Sequence, residues 1–286
     1  MKHVVGFSGG IDSQACAGWV LEHFAPEDVI LLNTRAGENE HPITVAHVEW
    51  YSQHVHPVVV VKPIIADLEN RGMDPSYPIY NRRHEFADSD ELTFQRLAYI
   101  RGRFPSHSLQ FCTEHLKLIP QRRWTRENIE TDSERYIGVR RDESSRRAQA
   151  AERGWDDFFD CYINRPLVDW SKEQCFDFVK ARGEEINPLY KMGFARVGCA
   201  PCVNSSKDDI RNWAARFPEM IQKVRDWEKQ NGRTFFAPMV PGLQLNWVDE
   251  CVEWSKTVWG GRQLSLPFFE AEAQSGNCSS KYGVCE

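Results

Sequence analysis

Short apolar runs alternate with longer mixed stretches through the first hundred residues. His3–Phe7 (HVVGF) reads as a strand and Ser13–Phe24 as a helix. Asp28–Asn33 (DVILLN) reads as a second strand, Thr44–His54 as a second helix, and Pro57–Val61 (PVVVV) as a β-branched third strand. Strands that are apolar almost throughout are buried on both faces, so the pattern predicts an α/β fold with a doubly wound, mostly parallel sheet and right-handed crossovers. Ligands in such sheets bind beyond the carboxyl ends of the strands. Two polar runs stand there, FSGGIDS (7–13) and NTRAGENE (33–40).

The pattern then changes. Residues 66–90 carry Pro, Asn and Arg without periodicity and read as a loop or insertion. Leu92–Gly102 reads as a helix, as does Cys112–Trp124 with Pro120 as a kink or stop. Tyr136–Val139 (YIGV) reads as a short strand. Ser171–Gly183 is a helix with Ser171 and Gln174 as a capping box and Gly183 after its end. Ser206–Asn231 reads as one more capped helix, closed by Gly232. A Trp-rich stretch and the polar tail EAEAQSGNCSSKYGVCE follow. We divide the chain into an α/β unit, 1–190, and a helical, cysteine-bearing region, 191–286. The series Trp213, Trp227, Trp247, Trp254 and Trp259 reads as core packing rather than base stacking.

Composition narrows the function. A net charge of -6 argues against broad nonspecific nucleic-acid binding and leaves room only for a local basic patch. No stretch approaches the roughly 20 apolar residues of a membrane span. The N-terminus enters a strand at once, without a signal-peptide core, so a cytoplasmic location is expected. In that reducing setting, nine cysteines point to metal binding or redox chemistry rather than to disulfides.

FSGGIDS is the first candidate site. Gly9 and Gly10 would let backbone N–H groups approach an anion, with Ser8 and Ser13 as hydroxyl donors and Asp12 suited to a metal ion. On residues alone, a plain strand-to-helix turn with Ser8 or Asp12 as a cap remains open. The P-loop and G-x-G-x-x-G patterns are absent. S-G-G-x-D-S after a first strand resembles the PP-loop of the N-type ATP pyrophosphatases. That resemblance implies an adenine nucleotide alpha hydrolase-like (Rossmann-like) fold. It also implies ATP and Mg2+ as ligands, with Ser8, Gly9, Gly10, Asp12 and Ser13 at the pyrophosphate end.

CTEHLKLIP (112–120) and GVRRDESSRRA (138–148) come next. Bare, the second is a basic loop, with Arg140, Arg141, Arg146 and Arg147 around Asp142 and Glu143. It suits phosphate or sulfate oxygens, or is a solvated loop of internal pairs. Together with PLVDWSKEQCFDFVKARGEEINPLYKMGFARVGCAPC (166–202), the two stretches resemble the phosphoadenosine phosphosulfate (PAPS) reductase family of the same PP-loop superfamily. The resemblance covers roughly residues 1–202. It implies Lys117, Arg140, Arg141, Ser144 and Arg147 around the phosphates or the transferred group, and Asn33, Thr34, Gly37 and Glu38 beside the nucleoside. The catalytic set expected from it is Asp12, Lys117, Arg140, Arg141 and Cys112. Two departures stand out. PAPS reductases usually carry a degenerate first loop, whereas this one is intact, and they end in Glu-Cys-Gly-x-His, whereas this chain ends Gly-Val-Cys-Glu. The combination looks more like PAPS-reductase-like sulfur-inserting enzymes, such as those of DNA phosphorothioation, or phage relatives.

Cys199 and Cys202 form C-x-x-C, and Cys278 and Cys285 form C-x6-C. All-cysteine ligation fits either zinc or an iron–sulfur cluster. Resemblance to the adenylyl-sulfate reductases and sulfur-inserting PP-loop enzymes favours a [4Fe-4S] cluster on Cys199, Cys202, Cys278 and Cys285. The rival set is Cys112, Cys199 and Cys202 with an open fourth iron site. Cys112 is otherwise a candidate active-site thiol, which requires a lowered pKa. Cys16, Cys161, Cys175 and Cys251 read as buried thiols. His41, His47, His54 and His56 have no ligand-like partner set.

The expected activity is adenylation of a substrate by ATP with pyrophosphate release, followed by sulfur transfer. The expected partners are an adenine nucleotide and a sulfur donor or thioredoxin-like reductant. Nucleic acid is a candidate acceptor and a homodimer a candidate assembly. The alternatives are a thiol-dependent PAPS or adenylyl-sulfate reductase that releases sulfite, and a non-catalytic nucleotide-binding subunit of a DNA-modification assembly.

Overall fold

The computed structural model describes residues 1–71 (backbone alone at 69–71), 90–145, 147–240, 242 and 246–257. The alternating region folds as β1 (Lys2–Gly6), α1 (Ile11–His23), β2 (Val29–Thr34), α2 (Pro42–His54) and β3 (Val58–Val61). Further strands are β4 (Ser133–Tyr136), β5 (Arg153–Asp156) and β6 (Cys161–Asn164). Among the described residues they form one six-stranded sheet, ordered β3-β2-β1-β4-β6-β5. All pairings are parallel except β5–β6.

Alternation along the central strands fills two layers. Val5 and Leu31 face a core with Ala15 and Val20 of α1 and with Cys175 and Val179 of α6 (Lys172–Ala181). Val4, Leu32 and Val61 face the opposite side, under Trp124 of α5 (Ile119–Asn128) and Ile129. Successive strand side chains point to opposite faces, so a strand buried on both must be apolar throughout. The doubly wound α/β expectation is met.

The register of β4 differs from expectation. The strand pairs with β1 over residues 133–136, and YIGV is mostly its exit. Pro120 does not stop its helix. α3 (Phe94–Arg101) is followed by a short α4 (Phe111–Thr113), a π-helical turn (Glu114–Leu118) and then α5, with Pro120 in the first turn of α5. A missing N–H costs little where the hydrogen-bond ladder changes pitch. The stretch 206–231 is two helices, α8 (Lys207–Arg216) and α9 (Pro218–Asn231), after the short α7 (Pro188–Lys191). Pro218 starts α9 because its ring cannot sit inside a continuous helix. β5 and β6 were not anticipated, since RGWD and CYIN lack an apolar run. The expected boxes are formed: Ser171 and Gln174 cap α6, and Ser206 and Asp209 cap α8.

The C-terminal helices, α10 (Val248–Lys256) included, share a core with α3. Phe94 and Leu97 pack with Leu189, Ile210, Trp213 and Trp227. Trp213 and Trp227 are buried as expected, Trp247 is exposed, and Trp259 lies outside the described residues. Cys16, Cys161, Cys175 and Cys251 are buried. No helix among the described residues is long and apolar enough to cross a membrane.

Candidate active site

The sheet reverses its winding between β1 and β4, and a crevice opens at such a switch point. FSGGIDS leaves β1 there and GVRRDES leaves β4. The glycine turn is internally braced. Ser8 N–H donates to Ser13 Oγ (3.1 Å), the two serine hydroxyls lie 3.0 Å apart, and Ser13 Oγ donates to the Gly10 carbonyl (2.9 Å). Gly9 holds φ +81°, and a Cβ on it would come within 3.0 Å of Val48 Cγ2 and 3.2 Å of Thr44 Cγ2. Glycine is needed there for conformation and for space.

Asp12 and Arg140 join the two loops. Arg140 Nε donates to Asp12 Oδ1 (3.0 Å), and both side chains are almost fully buried. Asp12 Oδ2 is buried and, among the described residues, accepts no hydrogen bond. The rest of the basic loop is bound internally. Arg140 also pairs with Asp142, Arg147 pairs with Glu143, and Glu143 accepts from the Arg140 backbone N–H. Arg141 pairs with Asp169 and donates to the Ala150 carbonyl, while Ser144 Oγ accepts from Arg147 N–H. Arg146 lies outside the described residues. Of the four named cations of this loop, the structure brings Arg140 against the glycine turn.

A cleft with about 520 Å3 of empty volume opens over β1 and β2. Ser8, Asn33, Thr34 and Lys117, four of the expected site residues, line it together with Phe7. Arg35, Glu40, Thr44, Gln121 and Cys199 line it as well. Glu40 belongs to the quoted run NTRAGENE, so position at a strand end was the available signal for it. Gln121 was hidden because its place depends on the π-helical turn. Gly37 and Glu38 lie elsewhere. Gly37 packs on Thr93, and the Glu38 carbonyl accepts from Lys223 Nζ (2.8 Å) beside a groove with Gln95 and Gln230.

Burial pushes the Glu40 carboxyl up from 4.5 to about 7, against the Ala36 N–H that it accepts and the nearby Lys117 ammonium. The folded chain therefore holds this proton more tightly than the unfolded chain. Stability from Glu40 is complete below about pH 4.5 and is lost as pH rises through about 7. Glu40→Gln is expected to flatten that loss, by up to about 3 kcal/mol between about pH 5 and 8. Urea unfolding at both pH values checks it; equal pH slopes for the two proteins would contradict it.

A second, small cavity adjoins the cleft, lined by Cys112, Cys199 and Cys202 with Lys117, Asn39 and Phe94. Cys199 and Lys117 line both spaces. Cys199 donates to Cys202, which lowers the Cys202 thiol to about 6 and pushes Cys199 well up. Asn204 N–H also points at Cys202 Sγ (3.4 Å). Burial pushes Cys112 to about 11, so Lys117 does not supply the lowered pKa that a reactive thiol there requires. Cys278 and Cys285 lie outside the described residues. Among the described residues no three His, Cys, Asp or Glu side chains converge closely enough to hold a metal ion.

Residues 78–205, which carry the Lys117 segment, the Arg140 loop and the Cys199 pair, match the phosphoadenosine phosphosulfate reductase domain. That stretch of the chain is similar to the PAPS reductase domain. An uncharacterized 37.8 kDa protein of Escherichia phage 186 is 29% identical over 99% of this chain and 96% of its own length. The adenosine 5'-phosphosulfate reductase of Streptomyces coelicolor is 40% identical over 83 residues, which are 28% of this chain and 35% of that enzyme. A solved PAPS reductase from Candida auris, in complex with phosphate, aligns with 70% of this chain and 81% of its own at 13% identity and a TM-score of 0.45.

Proposed function

We propose that this PAPS reductase-like protein binds ATP in the β1/β2 cleft and adenylates a substrate, releasing pyrophosphate, before sulfur transfer. One observation carries the reading: an intact S-G-G-x-D-S turn whose buried Asp12 keeps one oxygen without a hydrogen bond. A free carboxylate oxygen beside a phosphate turn fits one coordination position of Mg2+, and phosphates and water would complete the shell. Bound there, Mg2+ would neutralise phosphate charge. Gly9 and Gly10 would let the triphosphate approach the backbone, and Arg140 and Lys117 would offset charge developing at the α-phosphorus. A substrate oxygen attacks that phosphorus, the bond to the bridging oxygen breaks, and pyrophosphate leaves. A sulfur nucleophile then displaces AMP.

The thiols support sulfur chemistry in the same place, because Cys199 lines the nucleotide cleft. Cys199 and Cys202 offer two donors for a [4Fe-4S] cluster or zinc, with Cys112 in the same cavity. No third donor converges with them among the described residues, so no step is routed through a metal. The second reading, reduction of adenylyl sulfate or PAPS to sulfite, is favoured by the matched reductase segment.

The test is pyrophosphate release from ATP and Mg2+ with a panel of acceptors, alongside sulfite release from adenylyl sulfate and PAPS with a dithiol reductant. Pyrophosphate release that falls about a hundredfold or more in Asp12→Asn is expected. Sulfite without pyrophosphate would replace the first reading by the second. Failure to bind ATP with the metal content intact would remove the first outright. Iron and sulfide analysis of anaerobically purified protein decides the metal: iron with sulfide is the expected result, and zinc would exclude the cluster.

A further inference from the structure

The glycine turn and the Cys199 wall lie far apart in sequence, and Ser8 and Cys199 line the same cleft. One hydrogen-bonded chain joins them. Asn187, fully buried, donates one amide hydrogen to the Gly9 carbonyl (3.2 Å) and the other to Thr44 Oγ1 (3.1 Å). Thr44 donates its own hydroxyl hydrogen to the Val197 carbonyl (2.5 Å). Val197 leads through Gly198 to Cys199, whose backbone is bridged to Glu40. The Asn187 carbonyl is also used, accepting from Leu189 N–H (3.1 Å).

Every donor in this chain has one acceptor, so its direction is unambiguous. Thr44 both accepts from the turn's support and donates to the cysteine segment. Its methyl also faces Gly9. The hydroxyl makes both hydrogen bonds, and the methyl adds only a packing contact. Valine would keep the shape, leave the Val197 carbonyl and one Asn187 N–H buried without partners, and release the segment before Cys199.

We propose that Thr44 and Asn187 are positioning residues that set the Cys199 thiol in register with the glycine turn. Neither needs to touch the reacting atoms. The proposal concerns geometry within the cleft and holds whether the nucleotide there is ATP or a sulfonucleotide.

The experiment measures alkylation of each cysteine by iodoacetamide, mapped by mass spectrometry, in reduced, chelator-treated full-length protein. Thr44→Val is expected to speed alkylation of Cys199 about fivefold or more, the equivalent of one lost hydrogen bond, while Cys16 and Cys175 keep their wild-type rates. Thr44→Ser should restore the wild-type rate. A merely destabilised protein would expose Cys16 and Cys175 as well, so parallel acceleration of all three overturns the proposal. So does an unchanged Cys199 rate in Thr44→Val. If Thr44→Val does not fold, Thr44→Ala, which lacks the same hydroxyl in a smaller side chain, is read in the same way. A second arm adds ATP with Mg2+, which should protect Cys199 in the wild type and less in Thr44→Val. Absence of protection in the wild type counts against nucleotide binding, while the ligand-free arm still decides the positioning role.

Discussion

Gly138→Ala is expected to destabilise the protein by about 3 kcal/mol or more and to abolish nucleotide binding. A Cβ at Gly138 would lie 2.2 Å from the Asp12 carbonyl oxygen, 2.5 Å from its carbon and 3.0 Å from Ser13 N. All three are backbone atoms in the first turn of α1. A flexible side chain could swing away, but a helix end tied to β1 cannot. The strand exit and the glycine turn must separate, and that opens the Asp12–Arg140 contact. This gives a physical reason for the glycine that heads GVRRDES. Urea unfolding and ATP titration check it. An alanine variant within about 1 kcal/mol of wild type would show that the two loops do not meet as described.

Arg140→Met is expected to cost about 3–5 kcal/mol, because it leaves the Asp12 carboxylate buried without its cation. Arg140 is only 4% exposed and Asp12 is fully buried, so solvent cannot replace the lost partner. The double variant Asp12→Asn/Arg140→Met should recover more than half of that loss, since no charge is then left unpaired. Unfolding free energies of the two single variants and the double close the cycle. Strictly additive losses would mean that the pair is not coupled and that the Arg140 side chain acts through Asp142 instead.

The two variants differ in what they report. Gly138→Ala tests whether the switch-point loops touch. Arg140→Met tests whether their contact is electrostatic. Both act on the turn that the proposed chemistry needs, so each should be read by stability before activity.

Much of the α/β half was legible because burial on both faces writes itself into sequence as apolar runs. Val4-Val5, Val29 to Leu32 and Val58 to Val61 carry that mark, and their strands lie where it places them. Caps were legible for a related reason: Ser171 with Gln174 and Ser206 with Asp209 are local interactions within four residues. β5 escaped because an edge strand needs only one covered face, and RGWD has neither apolar run nor alternation. The break at Pro218 was visible as a proline but was overridden by the caps at either end of 206–231.

The sequence by itself determined the sheet class, the place of the glycine turn after the first strand and the resemblance to PAPS reductase-like proteins. Those depend on local spacing and on burial periodicity, which a linear chain records. Only the tertiary structure decided that Arg140 neutralises Asp12 and that Glu40 and Gln121 enter the cleft. It alone decided that Cys199 faces both the β1/β2 cleft and the thiol cavity, and that Thr44 ties the cysteine segment to the glycine turn. These contacts join residues dozens to more than a hundred positions apart. Their partners are set by strand order and by a π-helical turn, and nothing in the spacing of either partner encodes the other.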